Sequence, residues 1–238
     1  MPPRAARRTK PSAAVIIPAA GVGRRFQSPG RRKPFVLLRG RPILAWSLLA
    51  CERTPCVAEV VLAVHRGDVA RAWTLVRRAR CRKVRAVVIG GATRAESVYR
   101  GLQAVSPGIR VVAVHDAARP LVTPDVITRV VAAAARAGAA LAAAPMIPTI
   151  KLVDRRGRVV ATLDRRRLWA AQTPQAFRRG LLERAYRRLR GRARWQATDE
   201  SSLVEPCGVR SRIVEDTPRN VKVTMREDLR IAEALVRA

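Results

Sequence analysis

The first candidate for chemistry is a loop rich in glycine and arginine. Residues 18–26 read Pro-Ala-Ala-Gly-Val-Gly-Arg-Arg-Phe, and Lys33 follows shortly after. Small residues let a phosphate chain or a base come close to the backbone, whose N–H groups can bind anionic oxygens. Arg25 and Lys33 add positive charge. The loop has no closing Gly-Lys-Ser/Thr, and Phe26 breaks the dinucleotide-binding glycine pattern. We therefore expect a nucleoside triphosphate here, with a plain surface turn as the alternative.

A second glycine turn, Gly90-Gly91, precedes a predicted helix. Thr93 is the predicted N-cap of that helix, and Glu96 completes a capping box. Capping does not explain the two glycines or Ser97. These three residues could contact a base or a ribose, because bare backbone at a helix N-terminus presents free N–H groups.

A third turn, beginning His115-Asp116, follows another predicted strand. Asp116 at a strand end suits a hydroxylated substrate or a triphosphate that carries Mg²⁺. Arg119, three residues on, is a candidate for a substrate phosphate. His115 is better explained as the partner of a buried backbone group.

Lysine usage points to two further groups. Only five of the 48 basic residues are lysines. Where arginine is the default cation, a lysine indicates that a compact ammonium is needed. Lys33 and Lys222 both lie beside predicted functional segments, Lys222 within Asn220–Thr224.

The elements that must position these residues alternate between strands and helices. The predicted strands include Ala13–Pro18, Glu59–Val64, Val84–Ile89, Val111–His115, Ala139–Pro145 and Arg210–Val214. The predicted helices include Ile43–Cys51, Gly67–Arg78, Thr93–Val105, Pro124–Ala137, Arg178–Arg190 and Arg226–Ala238. Apolar strands separated by helices predict a doubly wound, mostly parallel α/β sheet of the Rossmann-like type. We expect a disordered basic tail over residues 1–12 and a single domain over 13–238.

One segment breaks the alternation. The runs Thr149–Val153 and Val159–Thr162 flank a charged, glycine-containing turn, which predicts a β-hairpin. A hairpin inserted in such a domain has no core of its own, so we interpret residues 148–168 or so as an arm that reaches a partner subunit.

The composition narrows the class of protein. A net charge of +31 attracts phosphate of any kind, so nucleic acid is an obvious candidate partner. The arginines are spread over the whole chain, however, and only three Phe and two Tyr are available for base stacking. The four cysteines show no metal-binding spacing. Neither a membrane span nor a secretory signal is predicted, which favours a cytoplasmic location.

Six ordered motifs together resemble one family. They are Pro18-Ala-Ala-Gly-x-Gly-x-Arg25, Gly90-Gly-x-x-Arg-x-x-Ser97, Val114-His-Asp-Ala-Ala-Arg-Pro120, Gln172-Thr-Pro-Gln175, Thr198-Asp-Glu200 and Asn220-Val-Lys-Val-Thr224. The chain is similar over about residues 13–237 to the 2-C-methyl-D-erythritol 4-phosphate cytidylyltransferases of non-mevalonate isoprenoid synthesis. The resemblance implies transfer of CMP from CTP to methylerythritol phosphate, with pyrophosphate and Mg²⁺ leaving together and Mg²⁺ held mainly by the CTP phosphates. It also implies a homodimer joined by the arm.

The same resemblance implies the site residues. The catalytic cations would be Arg25, Lys33, Arg165 and Lys222, with Arg165 reaching the substrate phosphate of the neighbouring subunit. The CTP site would contain Ala19, Ala20, Gly21, Gly23, Gly91 and Ser97. Methylerythritol phosphate would be held by Asp116, Arg119, Thr149, Thr173 and Lys222.

Several alternatives stay open. The loop before Phe35 departs from the family pattern, so Arg31 and Arg32 compete with Lys33 for its position. Ala92 stands where the family usually has an acid. An acceptor such as ribitol phosphate would use the same first loop, although Ala117-Ala118 favours methylerythritol phosphate. A basic nucleic-acid-binding protein is the alternative from another class. The fused cyclase domain of some relatives is not expected here.

Overall fold

A mixed β-sheet forms the centre of the fold. The computed structural model describes residues 12–21, 26, 32–188 and 197–236. In chain order the strands are β1 Ala13–Ala19, β2 Leu37–Leu38, β3 Arg41–Pro42, β4 Val57–Val64, β5 Val84–Ile89, β6 Val111–Val114, β7 Ala139–Pro145, β8 Ile150–Val153, β9 Val159–Leu163, β10 Trp169–Arg178 and β11 Arg212–Glu215. Seven of these form the main sheet, and β2–β3 and β8–β9 form two separate hairpins.

Seven helices are described, of which the short Glu200–Val204 helix was not predicted; the described ends of the other six lie close to the predicted positions. The seven helices are α1 Ile43–Glu52, α2 Val69–Arg78, α3 Arg94–Gln103, α4 Pro124–Ala137, α5 Arg179–Arg188, α6 Glu200–Val204 and α7 Arg226–Leu235. Local chemistry sets their ends. Thr123 caps α4, Pro124 takes its first position, and Gly138, with a φ of 94°, ends it. Residues 237–238 of the predicted terminal helix lie outside the described residues.

The strand order creates a crevice at one edge of the sheet. The order is β11-β7-β10-β6-β1-β4-β5, and β6, β1, β4 and β5 run parallel to one another. The chain moves outward from β1 to β5 and then returns to place β6 on the other side of β1. Such a reversal separates the loops that follow the two strands, so ligands of doubly wound sheets bind there, at the carboxyl ends.

The core covers both faces of the sheet. In β1, Val15 and Ile17 pack on one face among side chains of α1, α2 and α4. Ile16 packs on the other face among side chains of α3, α5 and α6. Nearly every residue of β1 is buried, as expected for a strand covered by helices on both sides. The predicted doubly wound α/β fold is therefore confirmed.

The sequence did not reveal β10. This strand runs antiparallel between β6 and β7, and its residues Gln172, Thr173 and Gln175 are buried although they are polar. Pairing with β7 is interrupted between Ala171 and Gln175, where the Thr173–Pro174 peptide bond is cis. Proline and polar residues argue against a central strand, so the sequence predicts only a motif in this segment.

The predicted hairpin is present as β8 and β9, which pair with each other and with no strand of the main sheet. No described helix is long and apolar enough to cross a lipid bilayer. Residues 1–11 of the predicted tail lie outside the described residues.

Candidate active site

A cavity of about 490 Å³ lies at the carboxyl ends of β1, β4, β5 and β6. The residues that line it are Pro18, Ala19, Ala20, Gly21, Lys33, Pro34, Ile43, His65, Gly91, Ala92, Thr93, Arg94, Ser97, Asp116, Ala117, Ala118, Lys222 and Thr224. Its size is within the range of small-molecule sites in proteins. The three predicted turns and the segment around Lys222 therefore meet around one space.

The described start of the first loop lines the cavity with small residues. Ala19, Ala20 and Gly21 line the cavity directly after β1, as predicted for a loop that lets a ligand approach closely. Gly23 and Arg25, the other two residues predicted from this loop, lie outside the described residues.

The contacts of Arg32 and Lys33 show which of these two cations faces the cavity. The Arg32 Nε atom lies 2.8 Å from the Asp68 carboxylate, and its Nη2 lies 3.4 Å from His65 Nε2. Lys33 lines the cavity instead, and its Nζ donates to the Val223 carbonyl oxygen at 3.1 Å. Of these two competitors, Lys33 is therefore the cation at the cavity, while Arg31 lies outside the described residues.

The Gly90-Gly91 turn is shaped by close packing. A Cβ atom at Gly90 would lie 2.4 Å from the Ala20 Cβ and 2.8 Å from the Ser97 Oγ. At Gly91 it would lie 2.2 Å from the Glu96 carboxyl carbon. Ser97 accepts a hydrogen bond from Gly91 N–H at 3.0 Å and donates one to the Thr93 carbonyl at 2.9 Å. Both glycines and Ser97 thus build the turn, and Gly91 and Ser97 also line the cavity.

The predicted cap of α3 is present. The Thr93 hydroxyl accepts from Glu96 N–H at 3.1 Å, and the Glu96 carboxylate accepts from Ala92 N–H at 2.8 Å. The bond from Ala92 is the main cause that lowers the pKa of Glu96. An acid at position 92 is therefore not needed to close this turn.

Asp116 lies between two cations. Its Oδ1 accepts from Arg94 Nε at 2.8 Å, and its Oδ2 lies 2.6 Å from Lys222 Nζ. Burial alone would raise the pKa of Asp116, but the two adjacent positive charges outweigh burial and lower that pKa well below its ordinary value. Asp116 is thus a carboxylate at any physiological pH.

Lys222 reaches Asp116 because its segment is fixed to the loop after β6. Val223 N–H donates to the Ala118 carbonyl at 2.8 Å. The Arg119 Nη1 donates to the Asn220 carbonyl at 2.6 Å, on the other side of Lys222. The lysine is held between two backbone anchors, with 42% of its side chain exposed.

His115 and Thr173 form a hydrogen-bonded chain that holds the backbone of Asp116. Asp116 N–H donates to the Thr173 Oγ1 at 3.0 Å, and that oxygen lies 3.1 Å from His115 Nδ1. The His115 Nε2 lies 3.2 Å from the Arg119 carbonyl oxygen, which can only accept, so Nε2 carries the proton and Nδ1 accepts from the Thr173 hydroxyl. Burial lowers the pKa of His115 to about 4, which keeps this imidazole neutral. The predicted structural role of His115 is supported by these contacts.

Four predicted substrate or catalytic residues do not line the cavity. Arg119 donates to the carbonyls of Asn220 and Ala171, and the Thr173 hydroxyl accepts from Asp116 N–H. Thr149 is exposed near the base of the arm. The exposed Arg165 donates from Nη1 to the Ile147 carbonyl at 2.6 Å.

Sequence reasoning missed the contribution of Arg94 and Glu200. Arg94 joins Asp116 to Glu200, whose Oε1 lies 2.8 Å from the Arg94 Nη1. Both residues occurred in recognised motifs, but no role followed from their types. Arg94 occupies the first turn of a helix, where a surface position is the default, and only the fold brings Glu200 to it across 106 residues of chain.

The fold and this cationic cavity at the switch point of the sheet define an enzyme of the nucleotidyltransferase class. Comparison with known proteins agrees: the sequence model of the 2-C-methyl-D-erythritol 4-phosphate cytidylyltransferases matches residues 13–238. The chain belongs to this family.

Individual relatives match over nearly their whole length. The enzyme of that name from Symbiobacterium thermophilum is 46% identical over 222 residues, covering 93% of this chain and 92% of the relative. The one from Syntrophus aciditrophicus is 38% identical over 229 residues, covering 96% and 97%. A crystal structure of 4-diphosphocytidyl-2C-methyl-D-erythritol synthase from Anaerococcus prevotii superposes with a TM-score of 0.82 at 26% identity, covering 94% of this chain and 96% of that one.

Proposed function

We propose that this protein transfers CMP from CTP to 2-C-methyl-D-erythritol 4-phosphate, giving 4-diphosphocytidyl-2-C-methyl-D-erythritol and pyrophosphate. The observation that carries the proposal is the cavity in which Lys33 and the Asp116–Lys222 pair line one space with the two glycine turns. A phosphate donor and a hydroxylated phosphate acceptor need this combination of cations, bare backbone and one carboxylate.

The glycine turns are the proposed nucleotide side. Ala19, Ala20, Gly21, Gly91 and Ser97 all line the cavity. The first three are small enough to leave room for a triphosphate, and the last two are proposed to contact the base or the ribose. Lys33 lies next to the first loop and supplies charge to the phosphates. Arg25, assigned from the family motif, is proposed to act with it.

Asp116 and Lys222 are the proposed acceptor side. A fixed carboxylate accepts hydrogen bonds from the acceptor hydroxyls, while the Lys222 ammonium attracts the acceptor phosphate. A phosphate oxygen of the acceptor attacks the α-phosphorus of CTP, the new P–O bond forms, and the bond to pyrophosphate breaks. The attacking oxygen is already an anion near neutral pH, so positioning and charge stabilisation carry the catalysis.

Arg119, Thr173 and Thr149 stay proposed acceptor ligands. In addition to binding the acceptor, Arg119 and Thr173 hold the backbone of Asn220 and Asp116 in place. Thr149 belongs to the loop that leads into the arm, so its contribution depends on where the arm is held.

Mg²⁺ is proposed to enter with the CTP phosphates. Of the described carboxylates, Asp116 lines the cavity and already has a cation on each oxygen. No group of three or more His, Cys, Asp or Glu within the described ranges is placed to hold a metal. When bound, the ion would neutralise charge on the departing pyrophosphate.

The arm supports a proposed homodimer. Leu152, Val153, Val159 and Val160 of β8 and β9 are between 50% and 63% exposed. Apolar side chains concentrated on a projecting hairpin are typical of a surface that another chain covers. In such a dimer Arg165, at the base of the arm, would reach the acceptor phosphate of the neighbouring subunit. The cytoplasmic location stays a prediction from the sequence.

Pyrophosphate release tests the function. The protein is given CTP and Mg²⁺ with methylerythritol phosphate, with ribitol phosphate, or with no acceptor. We expect release with the first acceptor, abolished or reduced roughly 10²–10³-fold by Lys33→Ala, as for the loss of one preorganised donor. Release with ribitol phosphate alone would assign a different acceptor. No release with either, together with salt-dependent binding of duplex DNA, would favour the nucleic-acid alternative.

A further inference from the structure

We propose that Glu200 is a positioning residue for the acceptor side of the site, acting through Arg94 on Asp116. The inference rests on the proposed function, because it assigns Asp116 to the acceptor. Glu200 itself does not line the cavity, whereas Arg94 and Asp116 do.

The environment of Glu200 is unusual for a carboxylate. Its side chain is fully buried, and its Oε2 has no hydrogen-bond partner among the described residues. Burial raises the pKa of Glu200, and only the adjacent Arg94 cation works strongly against this. Burying a carboxylate with a single cation is a poor way to gain stability, since an apolar side chain of similar size serves as well or better. The position of Arg94 is the property that such an apolar residue could not supply.

Arg94 needs a second anchor to stay on Asp116. It occupies the first position of α3, its side chain is 24% exposed, and it borders an open cavity. A long side chain at such a position has many rotamers available to it. The guanidinium is a rigid fork, so a carboxylate on Nη1 fixes the direction of Nε as well. Glu200 on Nη1 thereby aims Nε at the Asp116 Oδ1.

Glu200 is itself rigidly placed. Asp199 is the N-cap of helix α6, and its side chain accepts from Ser202 N–H at 3.0 Å. Gln175 of β10 joins this turn to the sheet, donating to Asp199 at 2.9 Å and accepting from Ser201 N–H at 3.0 Å. The Tyr186 hydroxyl, also buried, lies 3.5 Å from the Glu200 Oε1. The chain β10–α6–Arg94–Asp116 therefore links the sheet to the site.

Fixing Arg94 affects how the Asp116 carboxylate is shared between Arg94 and Lys222. With Arg94 fixed on Oδ1, the Lys222 ammonium on Oδ2 is only half of the compensation. If Arg94 moved away, Lys222 would be the only cation among the described residues that is paired with Asp116, and its ammonium would be less available to an acceptor phosphate. Loss of Glu200 should therefore weaken binding of the acceptor and leave binding of CTP unchanged.

Steady-state kinetics of the full-length protein test this with four variants. Glu200→Met keeps the volume and removes the anchor, whereas Glu200→Gln keeps an acceptor for Arg94. We expect Glu200→Met to lower kcat/KM for the acceptor about 10–100-fold, as for a group misplaced by about 1 Å. The KM for CTP should change less than about twofold, and Glu200→Gln should restore most of the activity. Adding Glu200→Met to Arg94→Ala should cost less than about threefold more, because coupled residues are not additive.

Glu59→Gln is the matched control. Glu59 is also buried and hydrogen-bonded, to Ser106 N–H at 2.8 Å, but it lies on β4 away from the cavity. This variant should lose stability in thermal unfolding without changing either KM. If Glu200→Met does not fold, Arg94→Lys replaces it, since an ammonium cannot hold both carboxylates in the fork geometry.

Three results would overturn the inference: equal losses for acceptor and CTP, losses that multiply in the double variant, or unchanged kinetics in a folded Glu200→Met protein. A failure of the proposed function is distinguishable, because the wild-type protein would then release no pyrophosphate. The NMR signal of the Arg94 Nε–H group gives a readout independent of activity. It should be protected from exchange in the wild type and lose that protection in Glu200→Met.

Discussion

Gly90→Ala is the substitution whose effect follows most directly from the packing around the cavity. The added Cβ would lie 2.4 Å from the Ala20 Cβ and 2.8 Å from the Ser97 Oγ. Carbon atoms in contact prefer about 3.5–4.0 Å. Ala20 has no rotamer to change, so the backbone of the first loop or of the Gly90-Gly91 turn must move by about 1 Å.

That displacement sets the expected magnitudes. Overpacking of this kind costs about 1–3 kcal/mol of stability. Both neighbours line the cavity, and a shift of about 1 Å in a positioning group can cost about 10²-fold in rate. We therefore expect kcat/KM for CTP to fall about 10–100-fold, a larger effect than the loss of stability alone would produce.

Alanine substitutions at two other glycines serve as controls that distinguish a loss of stability from a loss of catalytic activity. At Gly101 in α3 an added Cβ would lie 2.6 Å from the Ile16 Cγ2, within the core and not at the cavity. Gly101→Ala should lower the melting temperature and leave kcat/KM for CTP unchanged. At Gly108 nothing lies within 4 Å, so Gly108→Ala should change neither property. The assay is pyrophosphate release with varied CTP, together with thermal unfolding. The reasoning is refuted if Gly90→Ala is destabilised but binds and turns over CTP normally.

Three further predictions concern charged and titrating groups. Asp68→Ala removes the ion pair that holds Arg32, so the adjacent Lys33 should be less well positioned at the cavity. The KM for CTP, measured in steady state, should rise roughly fivefold, equivalent to about 1 kcal/mol for one ion pair. Lys222→Ala should lower kcat roughly 10²–10³-fold, and because it removes one of the cations that lower the pKa of Asp116, an acidic limb of the pH–rate profile should move to higher pH. His115 stays neutral when folded, with its pKa lowered from 6.5 to about 4, so unfolding takes up a proton as the pH falls. Stability should therefore decrease by roughly 3 kcal/mol between these two pH values, and denaturant unfolding of His115→Gln should show a flatter dependence.

Each of these has a contradicting result. An unchanged KM for CTP in Asp68→Ala would mean that Lys33 does not depend on Arg32. Normal turnover by Lys222→Ala would remove Lys222 from the proposed acceptor side. An equally steep loss of stability with falling pH in His115→Gln would assign the titration to other groups.

The sequence predicted the parallel half of the fold and missed the strand that completes it. Strands β1, β4, β5 and β6 are runs of apolar residues between helix-length segments, a pattern that needs no knowledge of distant contacts. In β10 the polar Gln172, Thr173 and Gln175 are buried because each finds a partner from elsewhere in the chain. Local periodicity cannot reveal partners that only the finished fold supplies.

The candidate site also contains residues that the sequence could locate and residues whose contacts only the fold reveals. Positions such as Gly21 and Gly91 could be located because glycine shortly after a strand indicates a turn where a ligand can approach the backbone closely. The contacts of Arg94 depend on two carboxylates that follow it by 22 and 106 positions. The charge of Arg119 predicts a phosphate ligand, and the fold adds that its guanidinium also donates to the carbonyls of Asn220 and Ala171. Charge type predicts what a side chain can bind, and the fold decides what it reaches first.

The pairing of β7 with β10 has a practical consequence for engineering. These two strands are neighbours from Trp169 opposite Pro145 to Phe177 opposite Ala139, and the whole arm is inserted between them. The ends of the insertion are thus held close together by the sheet itself. Arms from relatives could be exchanged at this junction as cassettes, or replaced by a short turn, while the cavity-lining segments keep their native sequence. In the proposed homodimer, such chimaeras would change subunit pairing independently of nucleotide recognition.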